Sequence, residues 1–107
     1  MERALEAFGV VSALGELREN SHGIADVRQV STGKYLIDFS PEFRREIPVV
    51  VATVVHTEDV PGTLGVSIAV EPGPALCTVL IVQSNNGAPV SREFCIVART
   101  GRQPRAD

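Results

Sequence analysis

Two histidines, His22 and His56, are the only side chains of this sequence that could serve as bases near neutral pH, so any nucleophile must be activated by one of them. Ser21-His22 are neighbours in the polar stretch RENSHG, where a solvated turn is the ordinary reading, and neither histidine sits in a nucleophile motif. The most polar point between the apolar runs is His56-Thr57-Glu58-Asp59. There His56, Glu58 and Asp59 could hold a sugar hydroxyl, or a cation through carboxylate oxygens. Asn85 and Asn86 offer side-chain amides to a polar ligand, but Asn-Gly is also chosen for turn geometry. Two histidines and two cysteines without a paired local spacing do not make a zinc clip, and no glycine-rich loop precedes a helix. No catalytic residue, metal ligand or cofactor is therefore assigned. The expectation is a protein that is not an enzyme and binds through loops, with His56, Glu58, Asp59, Asn85 and Asn86 as candidate ligand contacts.

Those loops need elements to hold them. Val27 to Val55 contains an alternating strand, a turn, a second alternating strand ended by Ser40-Pro41, a charged crossing, and an almost wholly apolar strand opened by Pro48. A three-residue loop Ser31-Thr32-Gly33, with Gly33 left-handed, sets Val27 opposite Ile37 and Ala25 opposite Phe39. Tyr35, Ile37 and Phe39 then share one face, and Phe43 plugs the end of the core. Leu64, Val66, Ile68 and Val70 alternate with small or polar residues, as one buried face requires. The turns EPGP and SNNG flank a strand over 76–83, and a last strand covers 93–99. About seven short strands at regular spacing predict an all-β, antiparallel β-sandwich, jelly-roll-like, with a possible short helix or stalk end over 1–6, a sandwich head over 7–99 and a disordered tail over 100–107. If Asn86-Gly87 is a two-residue hairpin turn, Cys77 pairs with Ile96 and Cys95 with Thr78; a crossing between sheets would change that. Both cysteines read as small buried side chains.

Composition narrows the partners. With 107 residues the chain closes one core, and its 44% hydrophobic and 21% charged residues are ordinary for a folded domain. A net charge of -3 supplies no field for a nucleic-acid backbone, and Arg44, Arg45, Arg99, Arg102 and Arg105 read as a solvated loop and terminus. The longest apolar run, Val49 to Val55, is too short to span a bilayer, and no signal-type apolar segment follows Met1, so membrane insertion is not expected. Two strands, VVVATVV and TVLIV, are apolar at odd and even positions alike. A single sandwich covers only one face of each, so another copy of the chain is expected on the second. Val51→Asp should accordingly break either the core or the assembly.

The runs FGVVSALGEL, GIADVRQVSTGKYLIDF, FRREIPVVVATVV and EFCIVAR carry a resemblance. They resemble the small trimeric jelly-roll or lectin-like β-sandwich heads at the tips of phage tail fibres and on bacterial surface proteins, and are similar in outline to H-type lectin domains. The matching positions are Gly33, Tyr35, Ile37, Phe39, Pro48, Val49, Val51, Thr53, Phe94, Ile96 and Ala98. H-type lectins hold sugar with loop aromatics between subunits, whereas this chain has no Trp. The resemblance implies a homotrimer at a virion or extracellular surface that binds a glycan or cell-surface receptor, or else a trimerisation or capping module with no ligand of its own.

Overall fold

The computed structural model describes residues 5–43, 46–55 and 65–100. Seven strands form two antiparallel sheets: β1 (Glu6–Val11), β2 (Ile24–Ser31), β3 (Lys34–Phe39), β4 (Val49–Val54), β5 (Val66–Gly73), β6 (Leu76–Gln83) and β7 (Phe94–Arg99). The small sheet has the order β1-β7-β4, and the large sheet β2-β3-β6-β5. The protein is an all-β antiparallel sandwich, the class that the periodicity indicates.

Strict alternation explains the core. Tyr35, Ile37 and Phe39 of β3, Cys77, Val79 and Ile81 of β6, and Phe94, Ile96 and Ala98 of β7 are all buried, each pointing from its sheet toward the other. Val66, Ile68 and Val70 of β5 pack against this cluster from the edge. Phe43, at the end of a 3-10 turn over Pro41–Phe43, closes one end, with its ring centroid 5.1 Å from that of Phe39. The Tyr35 ring lies 5.0 Å from that of Phe94, and its hydroxyl donates to the Ala13 carbonyl at 2.6 Å. A buried phenol thereby finds a partner and pins the loop after β1 to the core.

Gly33 is left-handed, φ +72°, and Val27 pairs with Ile37, but Ser31 belongs to β2 and pairs with Lys34, so the connection is the two residues Thr32-Gly33 and not the expected three, the register slipping between Gln29 and Ser31. Phe39, however, pairs with Ile24 rather than Ala25, because the register slips by one between Ile24 and Asp26. Beyond that slip Asp26 and Asp38 are direct partners on the outer face. Like charges directly opposed weaken a strand pair, so Asp26→Asn should raise the unfolding free energy by about 0.5 kcal/mol in urea titration. An unchanged or lowered midpoint would contradict that assignment.

Several boundaries differ from those expected. Leu5 is not helical: its N–H donates to Thr100 Oγ1 at 2.8 Å and its carbonyl accepts from Thr100 N–H at 3.0 Å. The same clasp makes Thr100 a buried part of the sandwich rather than of a tail; residues 1–4 and 101–107 lie outside the described residues. β5 runs on through Pro72 to Gly73, and the turn into β6 is Pro74-Ala75, with Ala75 at φ 58°. β5 is an edge strand, which tolerates the proline.

The turn Ser84–Gly87 does not join β6 to β7 within one sheet. After it the chain folds back on β6 through a Val82–Pro89 bridge and the Val90 N–H to Ile81 carbonyl bond, then crosses to the small sheet. Cys77 therefore pairs with Ile37 and Pro72, and Cys95 with Val10 and Thr53, not with Ile96 and Thr78. Both thiols are free.

Candidate functional site

Of the five candidate ligand contacts, His56, Glu58 and Asp59 lie outside the described residues. Asn85 and Asn86 are exposed on the Ser84–Gly87 turn. The Asn86 carbonyl oxygen Oδ1 accepts the Ala88 N–H at 2.9 Å, and Gly87 adopts φ +72°. Asn86 thus shapes its own turn, in the manner of an Asx turn, while Asn85 projects freely.

Among the described residues no hydrogen bond joins the His22 ring to a hydroxyl or thiol, that of the adjacent Ser21 included. The His22 backbone exchanges two 2.8 Å hydrogen bonds with Phe8, and its ring stacks on the Phe8 ring at 5.6 Å. With the Val11–Leu17 bridge, these bonds cover the outer edge of β1 with the segment that follows it. Glu93 Oε2 accepts from Arg18 Nε at 3.2 Å across an exposed surface. An open depression beside this pair is lined by residues 16–20. Among the described residues no three His, Cys, Asp or Glu side chains come together as a metal site. Nor is any helix there long and apolar enough to cross a membrane, which says nothing of strands that might.

Ser91 Oγ is a structural hub, accepting from Gln29 Nε2 at 2.8 Å and from the Gly33 N–H at 3.1 Å. It ties the β2–β3 turn to the crossing into β7. Cys77 is fully buried, and burial pushes its thiol from 9.0 up to about 11. An acid whose folded pKa is raised holds its proton longer in the folded chain than in the unfolded one. Stability therefore falls as pH climbs above 9.0 and levels off beyond about 11, by about 3 kcal/mol in all. The pH dependence of urea unfolding should lose this component in Cys77→Ala; identical alkaline slopes in both proteins would contradict it.

The largest chemical contrast lies between the two outer faces. On the large sheet the outward residues are mixed, with Asp26, Arg28, Lys34, Asp38, Ser67, Glu71 and Thr78 set among Leu36, Ala69, Leu76, Val82 and the exposed Leu80. On the small sheet the outward positions form three rows across β1, β7 and β4: Glu6–Arg99–Val49, Phe8–Val97–Val51 and Val10–Cys95–Thr53. Phe8 is 44% exposed, Val97 54%, Val51 65% and Val49 67%. A continuous apolar row thus runs over all three strands, bordered by the Glu6–Arg99 ion pair at 3.6 Å.

Val49 and Val51 consequently belong to the surface and not to the core, which takes Val50 instead. Val51→Asp will leave the core intact. The two-sided apolar character of β4 was readable, but Phe8 was not singled out, although Glu6, Phe8 and Val10 alternate with the buried Ala7, Gly9 and Val11. That alternation was the available signal. No family model, curated protein or solved structure matches this chain.

Proposed function

We propose that this protein is a non-enzymatic recognition head: a β-sandwich that assembles with its own kind through the small sheet and meets a glycan or protein receptor at a virion or bacterial surface with its loops. The observation that carries this reading is the sidedness of the molecule. The outer face of the large sheet mixes charged and polar side chains with Leu36, Leu76, Leu80 and Val82, whereas the small sheet presents Phe8, Val97, Val51 and Val49 in a contiguous exposed patch of the kind that marks an interface. The homotrimer implied by the resemblance is one stoichiometry this patch can serve.

A glycan array and a cell-binding assay with the intact chain test the recognition half. His56→Ala, Glu58→Ala and Asn85→Ala should each weaken binding without changing the assembly state. Binding that survives all three substitutions would move recognition elsewhere. A second reading, a capping or trimerisation module without a ligand, is favoured by one observation: Asn86 spends its side-chain oxygen on its own turn. No signal on any array together with intact assembly would select that reading.

A further inference from the structure

We propose that the small-sheet face is covered by the same face of a second copy of this chain, the two sheets stacked about a two-fold axis that runs along the strands. The proposal rests on the self-association in the reading above and specifies its contact. Its first support is size matching. Along the central row the side chains run from large to small, Phe8 on β1 with the His22 ring stacked beside it, Val97 on β7 and Val51 on β4. A two-fold axis along β7 lays β1 of one copy over β4 of the other. Each Phe8 then meets Val51 of the other copy, and Val97 meets Val97. An axis running across the strands would instead oppose Phe8 to Phe8 and Val51 to Val51, leaving one edge overfilled and the other open. Sheets that pack face to face keep their strands within about 30° of one another, a condition both axes meet, so size matching alone selects the axis along the strands.

Charge is compatible with this arrangement. The two Arg99 side chains approach at one end of the interface, but each is paired with its own Glu6 and both remain largely exposed, so the row is a neutral rim. At the other end Cys95, on the central strand, comes opposite Cys95 of the second copy. Area sets the strength. With strands about 4.8 Å apart and rows about 6.8 Å apart, the outward positions and their side chains cover roughly 450 Å² per copy. Two copies together bury about 900 Å², just under the size of specific stable interfaces, so the dimer is weak and reversible.

Sedimentation velocity of the intact chain over a wide concentration range, with crosslinking by a short bismaleimide, tests the proposal. The wild type should run as a monomer–dimer equilibrium. Val97→Asp should weaken its dissociation constant at least ~30-fold, while Leu80→Asp, on the outer face of the large sheet, should leave it within about threefold. Circular dichroism checks that each variant folds, and Val51→Lys at the sheet edge replaces Val97→Asp if that variant does not. The bismaleimide should trap a dimer that Cys95→Ser abolishes. A monomer at every concentration, or a dimer weakened only by Leu80→Asp, would overturn the proposal. So would a dimer without the Cys95 crosslink. A trimer weakened by Val97→Asp would overturn the two-fold contact while leaving self-association and recognition standing.

Discussion

Gly33→Ala is expected to destabilise the protein by about 3–5 kcal/mol, enough to unfold much of the population at room temperature. The residue sits at φ +72°, a conformation that disfavours any Cβ, but strain alone is the smaller part. A Cβ there would lie 2.5 Å from the Ile81 carbonyl oxygen and 2.9 Å from the Val90 nitrogen, both backbone atoms held by the sheet. The glycine cannot move away from them. Its N–H donates to Ser91 Oγ, and its carbonyl accepts the Ile81 N–H at 2.8 Å. Gly87 is the matched control, with the same φ and nothing within 4 Å of its would-be Cβ. Gly87→Ala should cost only about 1 kcal/mol in the same urea titration. Equal losses at the two positions would mean that the close approach at Gly33 contributes nothing.

Phe94→Ala should cost a similar 3–5 kcal/mol by a different route. Phe94 is fully buried on the strand that pairs with both β1 and β4, and its ring meets Tyr35 of the opposite sheet. Removing it opens a cavity between the sheets and frees the ring whose hydroxyl holds Ala13. Calorimetry should therefore record both a large fall in melting temperature and faster amide exchange in the loop after β1. A melting temperature within a few degrees of wild type would show that the site collapses, and that Phe94 is not the keystone between sheets.

The alternating strands were the legible part of this fold. In β3 and β5 the period of two fixes which residues face inward, and Tyr35, Ile37, Phe39, Val66, Ile68 and Val70 lie where that pattern puts them. In VVVATV the pattern is silent, since valine occupies both faces, and only the pairing with β7 reveals that Val50 is the inward one. The SNNG turn is equally ambiguous: its geometry is local, whereas the segment that crosses between sheets is anchored through Ser91, whose hydroxyl accepts from Gln29 and Gly33 far away in sequence. Long-range hydrogen bonds leave no short-range mark. The same limit applies to recognition. A segment such as 56–59, outside the described residues, announces polar chemistry by composition, but composition does not say which side chains converge.

The proposed self-association requires that another copy cover the apolar outer face of the small sheet. The most direct measurement is the solution mass of the unmodified chain by light scattering, from about micromolar to about millimolar concentration, a span that brackets a weak interface. The account predicts a mass that rises above the 11.4 kDa of one chain as concentration increases. A mass fixed at one chain throughout that range would contradict it, and would leave Phe8, Val97 and Val51 without the partner assigned to them.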